Sequence, residues 1–165
     1  MSISLREVSL IKIYLHAVWA VKYRDAVLQP EMKPLVVDTI HSLLAARGHR
    51  PIVTNFEPDH LHALFRWSAK EPLPTTMQAV KGASSKSLND VYFAGEAPFR
   101  WQGGYAAFSV CPTHVQSKAQ YVRDQQLIHA RRAFEREYAE LLAEHPPAGL
   151  DDTRTYWNWV PLEDR

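Results

Sequence analysis

Apolar and polar residues alternate along the segment SLIKIYLHAVWAV, near the start of the chain. Apolar side chains occupy every second position from Ile11 to Trp19, and Lys12, Tyr14 and His16 stand between them. A period of two with β-branched and aromatic residues is typical of a strand. We therefore predict a first strand here, followed by a loop over KYRDAVLQP.

The next segments have the periods of a helix, a hairpin and a second helix. Pro30 can open a helix whose apolar residues recur through Leu44 and which stops near Gly48. PIVTNFE and HLHALFRW are separated only by Pro-Asp, which predicts a β-hairpin. After the loop SAKEPLP, the stretch TTMQAVKGASSKSLNDVYF predicts a second long helix.

The second half of the chain continues this order. FRWQGGYAAFSVC predicts one or two strands with a break at Gly-Gly. Pro112 opens a further helix that carries Tyr121 and Gln125, and Thr113 with Gln116 fits a capping box at its start. The residues from 134 to 145 predict another helix.

The predicted order is strand, helix, strand, strand, helix, strand, with more helix at the end. This is the split βαβ arrangement of a ferredoxin-like α+β fold, in which helices pack on an antiparallel sheet. Such a fold serves many functions, so the fold class alone does not assign one.

Composition places the chain among ordinary globular proteins. Its 165 residues suit one domain, with 46% hydrophobic and 22% charged residues. We predict a single folded domain over residues 1–146 and an acidic tail over residues 147–165. The single cysteine, Cys111, excludes an intrachain disulfide and a cysteine-based zinc site. With no leader-like or membrane-spanning pattern, a cytoplasmic protein is expected.

Charge is distributed unevenly along the sequence. Residues 1–132 contain 16 lysines and arginines against 10 acidic residues, whereas residues 133–165 contain 3 against 8. A basic body is compatible with a polyanionic partner such as nucleic acid. It is equally compatible with an ordinary solvated surface.

The segment DHLHALF contains the first candidate chemistry. On a strand, His60 and His62 share one face with Cα atoms roughly 6.5–7 Å apart. Leu61, Ala63 and Phe65 can then face the core and leave both imidazoles on the other side of the sheet. The two histidines therefore predict a metal site, although a pair without metal on a partly exposed strand is an alternative.

Tyr121 and Gln125 are four residues apart, hence neighbours on one helix face. A packing tyrosine and a solvated glutamine would explain them without chemistry. Beside the histidine pair they instead offer a phenol nucleophile and an amide-oxygen ligand. Two neutral imidazoles and one amide would leave a divalent ion its full charge for polarising a phosphate oxygen.

Five blocks together resemble a known family. YLHAVWAVKYRDAVL, PDHLHALF, VKGASSKSL, WQGGYAAFSV and YVRDQ occur in the order and spacing of the single-tyrosine HUH transposases. These TnpA-like enzymes belong to the smallest bacterial insertion sequences. The resemblance covers roughly residues 10–140, and it implies the HUH endonuclease type of ferredoxin-like fold.

The resemblance also implies a mechanism. Such enzymes bind hairpins in single-stranded DNA, and His60, His62 and Gln125 would bind Mg²⁺ or Mn²⁺. Tyr121 would attack the scissile phosphodiester to give a 5′-phosphotyrosine link and a free 3′-hydroxyl. The reverse attack would rejoin strands without a nucleotide cofactor. A homodimer is implied, in which the tyrosine helix can complete the partner's site.

A set of basic, polar and aromatic residues forms the candidate DNA-binding surface. These residues could instead have no role in binding and simply belong to a solvated turn after the first strand and to an exposed helix face. The candidates are Lys22, Tyr23, Arg24, Lys81, Ser85, Lys86 and Arg100.

Other functions stay open from the sequence. The chain could be a domesticated module that binds hairpin DNA, or a nickase that serves its host. It could also be a small metal nuclease that activates water, with Asp59 as the nearest general base. A ferredoxin-like protein without chemistry is the last alternative.

Overall fold

The computed structural model describes residues 10–95, 97–129 and 134–145. The predicted tail over residues 147–165 lies outside these ranges, so its boundary with the folded domain stays a prediction. Among the described helices, none has the length and apolar character needed to cross a bilayer.

The described strands form one four-stranded sheet in the order β2-β3-β1-β4. Every neighbouring pair is antiparallel. This confirms the predicted ferredoxin-like arrangement and the predicted hairpin. The strands are β1 (Ile13–Ala20), β2 (Arg50–Glu57), β3 (His60–Trp67) and β4 (Ala106–Val110).

The helices follow the predicted order, with differences at their ends. They are α1 (Lys33–Ala46), α2 (Leu73–Val91), α3 (Val115–Arg123), α4 (Gln125–His129) and α5 (Phe134–Glu144). Short 3₁₀ turns at Pro30–Met32 and Pro112–His114 precede α1 and α3. The capping-box prediction is wrong, because no side-chain hydrogen bond caps α3. The Thr113 hydroxyl instead lies 3.1 Å from the Cys111 sulfur.

The main hydrophobic core lies between one face of the sheet and helices α1 and α2. Leu61, Ala63 and Phe65 of β3 point into this core, as the alternation predicted. Trp19 of β1 lies beside them and is fully buried. The side chains between these positions therefore emerge on the opposite face of the sheet.

The opposite face carries α3, α4 and α5. Leu64 packs against Ala119 of α3. Val18 packs with Phe134 of α5 in a separate cluster. The register pairs Val18 with His62 across β1 and β3, so the histidines emerge in the middle of this face.

Candidate active site

The two histidines of DHLHALF lie side by side on one face of β3. Both are buried, and their ring centroids are 5.0 Å apart. Nδ1 of His62 lies 2.9 Å from Nε2 of His16, on the neighbouring strand β1. The hydrogen bond occupies one nitrogen of His62 and leaves Nε2 for another partner. The structure thus places the predicted pair as the sequence indicated.

His60 is oriented from behind by a carboxylate and a guanidinium. Its Nδ1 lies 2.6 Å from Oδ1 of Asp59. Arg24 donates to Oδ2 of the same carboxylate from Nε at 2.9 Å and from Nη2 at 2.6 Å. A carboxylate on one imidazole nitrogen fixes the tautomer that presents the other nitrogen to a metal.

Asp59 is held as the charged carboxylate. Burial acts to raise its pKa, but the hydrogen bond and charge of His60, followed by those of Arg24, lower the pKa to about 2. The backbone that supplies Arg24 is strained, because Tyr23 and Arg24 have positive φ angles of 63° and 59°. Strain of this kind persists where surrounding contacts enforce it, and it is common at functional sites.

Tyr121 and Gln125 come together, although not on one continuous helix. Helix α3 ends at Arg123, and Asp124 leaves the helical conformation with φ −88° and ψ 12°. Gln125 then begins α4 with its Nε2 3.5 Å from the carbonyl oxygen of Tyr121. The predicted proximity is therefore present across a break that the sequence interpretation missed.

The break between α3 and α4 is held by Asn55 of β2. Its Nδ2 donates to the carbonyl oxygens of Val122 at 2.9 Å and Arg123 at 3.1 Å. These are carbonyls at the end of a helix, which have no intrahelical partner. Asn55 is buried and connects the end of α3, the helix that carries Tyr121, to the sheet.

Glu137 of α5 is a site residue that the sequence interpretation missed. Its side chain is buried, with 1% exposure. Its Oε1 accepts hydrogen bonds from the Tyr121 hydroxyl and, at 2.9 Å, from Nε2 of Gln125. Its Oε2 lies 2.7 Å from Nε2 of His129, and His62 Nε2 lies 3.9 Å from Oε1.

A signal for Glu137 was present in the sequence. Phe134, Tyr138 and Leu141 form the buried stripe of α5. Glu137 has the spacing of that stripe, three residues after Phe134 and four before Leu141. A carboxylate on the apolar face of an amphipathic helix is unusual unless it has a partner.

Four side chains of this face could hold a metal ion together. Ligand atoms of His60, His62, His129 and Glu137 all lie within 4.8 Å of one another. Within the described ranges, buried His62 Nε2 and Gln125 Oε1 have no hydrogen-bond partner. Lone pairs of imidazole, amide and carboxylate are ligands for divalent ions. The residues present therefore fit the predicted metal site.

Burial favours the neutral form of His16 and His62. The pKa of His16 is lowered to about 3 by burial and then by the charges of Lys118 and His145. The pKa of His62 is lowered by burial and by the neighbouring histidines and Lys118. Burial, followed by the charges of Glu57 and Glu140, raises the pKa of Glu137 to about 8, against the opposing charge of Lys118. Neutral imidazole is the form that binds metals.

The candidate DNA-binding residues border two open cavities that meet at Arg100. Lys22, Tyr23 and Arg100 line a cavity of about 390 Å³. Lys81, Ser85 and Arg100 line a second cavity of about 540 Å³. The structure thus brings five of the predicted residues to two adjoining clefts.

Several of these candidates have internal partners. Lys81 donates to the carbonyls of Gln102, Gly103 and Gly104 and so fixes the Gly-Gly loop. Ser85 donates to the carbonyl of Phe99 at 3.1 Å. The remaining two candidates do not line either cavity: Arg24 pairs with Asp59, and exposed Lys86 pairs with Asp90.

Comparison with known proteins gives concordant results. The family model described as transposase IS200 like matches residues 9–125. The ISDra2 transposase TnpA of Deinococcus radiodurans is 32% identical over 77 residues, which are 47% of this chain and 55% of that protein. The chain therefore spans about half the length of this curated relative. The predicted family resemblance is confirmed.

Two solved structures share the fold. A candidate transposase from Deinococcus radiodurans R1 superposes with a TM-score of 0.58 at 22% identity, covering 74% of this chain and 98% of that one. A REP-associated tyrosine transposase bound to a REP hairpin superposes with a TM-score of 0.54 at 13% identity, covering 77% and 74%. At these identities the likeness concerns the fold.

Proposed function

The chain belongs to the family of IS200-like transposases, and on this premise we propose that it is a metal-dependent DNA transposase with a tyrosine nucleophile. It binds hairpins in single-stranded DNA, and it cleaves and rejoins strands through a 5′-phosphotyrosine on Tyr121. The single observation that carries this proposal is the convergence of Tyr121 and Gln125 with the histidine pair. The Tyr121 ring centroid lies 6.3 Å from that of His62.

Each residue of the candidate active site has a separate role in the proposed reaction. His60, His62 and Gln125 hold Mg²⁺ or Mn²⁺, which supplies Lewis acidity to a phosphate oxygen. The Tyr121 hydroxyl loses its proton and its oxygen attacks phosphorus. The bond from phosphorus to the 3′-oxygen breaks, and that oxygen takes up a proton to become the 3′-hydroxyl of the upstream strand. The 5′-phosphate of the downstream strand stays linked to the tyrosine. The freed 3′-hydroxyl can reverse the attack, so joining consumes no nucleotide. Asp59 and His16 act behind the histidines and keep their rings in place.

The two clefts around Arg100 are proposed to bind the DNA. Arg100 and Lys22 offer positive charge to phosphates, and Tyr23, which is 49% exposed, offers a face for stacking on a base. The REP-associated relative was solved bound to a hairpin, which supports a hairpin partner here. A homodimer is also proposed on the family's implication.

One alternative loses support from the geometry. A nuclease that activates water would need Asp59 as a free general base. Both oxygens of Asp59 are instead engaged, one by His60 and the other by Arg24. The remaining alternative, a module that only binds hairpins, is distinguished by whether Tyr121 becomes covalently linked.

The test is incubation of the protein with Mn²⁺ and a library of labelled single-stranded hairpin DNAs, read on a denaturing gel. We expect a protein-linked strand with the native chain and none with Tyr121→Phe. Tyr92→Phe is the matched control, because Tyr92 donates to the carbonyl of Glu31 away from the site. Cleavage by Tyr121→Phe without an adduct would contradict the tyrosine mechanism. Hairpin binding without cleavage by the native chain would favour the binding module.

A further inference from the structure

We infer that Glu137 is an anionic ligand of the metal ion, in addition to His60, His62 and Gln125. The inference rests on the proposed function. A carboxylate ligand changes the net charge of the metal site. Two imidazoles and an amide carry no charge, whereas a carboxylate neutralises one of the two positive charges of the ion.

The position of Glu137 is that of a ligand. Its Oε1 lies 3.9 Å from Nε2 of His62, a separation that one ion can bridge when bound to both atoms. Two ligand atoms that each lie roughly 2.0–2.2 Å from one ion are at most about 4.4 Å apart, so the observed separation is within the reach of a shared ion. The same Oε1 accepts from Nε2 of Gln125, and that hydrogen bond leaves the amide oxygen of Gln125 for the ion.

Among the described residues, the ion-pair partners of the Glu137 carboxylate are histidines, whereas Lys118 lines the same pocket but forms no ion pair with it. Within residues 10–95, 97–129 and 134–145, no lysine or arginine forms an ion pair with its carboxylate. Its close neighbours are a phenol, an amide and imidazoles. A buried carboxylate is retained in proteins when it is paired or coordinates a metal. A divalent ion between Glu137 and the histidines would supply the missing positive charge.

The helix that carries Glu137 is fixed against the sheet. Phe134 and Leu141 pack with Val18 and Phe108 in one buried cluster. The Phe134 ring also lies over His60, with centroids 4.1 Å apart. Glu137 is therefore carried by a packed helix next to the histidine pair, and a ligand needs such fixed placement to bind an ion without a large ordering cost.

The experiment measures metal binding without DNA, so that it does not depend on catalysis. Mn²⁺ is titrated by calorimetry into the full chain and into Glu137→Gln, and the melting temperature of each protein is recorded with and without Mn²⁺. Glu140→Gln is the matched control, because it removes the same charge from the same helix at a side chain that is 44% exposed. We expect Glu137→Gln to bind Mn²⁺ at least about tenfold more weakly and to gain less melting temperature from it, with Glu140→Gln close to the native chain.

The outcomes separate this inference from the proposed function. Equal Mn²⁺ affinity of the native chain and Glu137→Gln would overturn the inference and leave the metal site in place. Absence of Mn²⁺ binding by the folded native chain would overturn the metal site and the inference together. If Glu137→Gln does not fold, Glu137→Asp is compared instead. It keeps the charge but shortens its reach, and an unchanged affinity in that variant would also overturn the inference.

Discussion

Asp59 acts on the proposed metal site through His60, and the effect can be measured at a single residue. Replacing Asp59 with Asn removes the acceptor charge from Nδ1 of His60 and releases Arg24. Loss of a carboxylate behind a metal-binding histidine typically weakens metal affinity by about 10–100-fold. We expect Asp59→Asn to lower Mn²⁺ affinity within this range, as measured by calorimetry.

The control for this prediction is Asp25→Asn, an exposed aspartate in the adjacent loop. It should bind Mn²⁺ like the native chain. An unchanged affinity in Asp59→Asn, with the fold intact by circular dichroism, would show that the carboxylate does not orient His60.

The buried imidazole of His16 should make the stability of the fold decrease at acidic pH. Its pKa is lowered from 6.5 to about 3 in the fold, chiefly by burial, so the unfolded chain binds a proton that the folded chain excludes. The contribution of neutral His16 is therefore fully present above pH 6.5 and is lost progressively as the pH falls toward 3. With a chelator present, we expect the melting temperature to fall over this interval.

The comparison variant for the pH prediction is His16→Gln, which keeps a hydrogen-bonding group beside His62 but does not titrate. Its melting temperature should fall less steeply than that of the native chain below pH 6.5. His114→Gln, at an exposed position, should follow the native chain. Parallel curves for native and His16→Gln proteins would contradict this account.

The sequence predicted the positions of some site residues but not of others. His60 and His62 were predictable because the period of a strand fixes which side chains share a face. The apolar stripe of α5 signalled that Glu137 is buried, but the roles of Glu137 and Asn55 were not predictable, because they come from contacts with Tyr121 and Val122, 16 and 67 positions away in the chain. Local periodicity indicates that a helix or strand is amphipathic, but it does not indicate which helix covers which strand.

At the scale of elements, the junction between α3 and α4 determines where the proposed nucleophile lies. Asn55→Ala should remove two hydrogen bonds to the end of α3, one to the buried carbonyl of Val122 and one to the part-buried carbonyl of Arg123. The expected loss is about 1–3 kcal/mol in the free energy of unfolding. Because the freed helix end carries Tyr121, the yield of covalent adduct should also fall.

Thr76→Val provides the control for this element. The buried Thr76 hydroxyl of α2 donates to Glu71 at 2.8 Å and lies 3.2 Å from Nε2 of His49, on the opposite face of the sheet and outside both proposed DNA-binding clefts. It should lose comparable stability and keep its adduct yield when assayed well below its melting temperature. An equal fall in adduct yield in both variants would indicate a general effect of stability.

Elements were predicted better than their ends. The order of strands and helices follows from clear changes of period, so the sheet and α1, α2 and α5 were predictable. The break at Asp124 was not, since YVRDQQ contains no glycine or proline. The Gly-Gly loop was also ambiguous in sequence. Its shape depends on Lys81, which bonds to three of its carbonyls from another helix.

At the scale of the whole molecule, Arg100 stands where the two proposed DNA-binding clefts meet. Arg100→Ala should weaken binding of single-stranded hairpin DNA. It should also reduce the slope of log affinity against log salt by about 0.7–0.9, since one phosphate contact is lost. Fluorescence anisotropy at several salt concentrations measures both quantities.

Arg136→Ala, which removes an exposed arginine of α5, should leave the affinity and the slope of hairpin binding unchanged. The same loss in both variants would mean that overall charge, rather than the clefts, determines binding. An unchanged slope in Arg100→Ala would place the DNA elsewhere.

Tyr121 and the histidine pair meet within one chain in this structure. If this arrangement is the one that reacts, each copy of the protein is self-sufficient, even inside a dimer. A copy with Tyr121→Phe mixed with a copy with His62→Ala would then fail to complement, because no active site in the mixture contains both groups. In a cell that expresses both an active and an inactive allele, the inactive protein would reduce the amount of active enzyme. It would not inhibit the active protein within a mixed dimer.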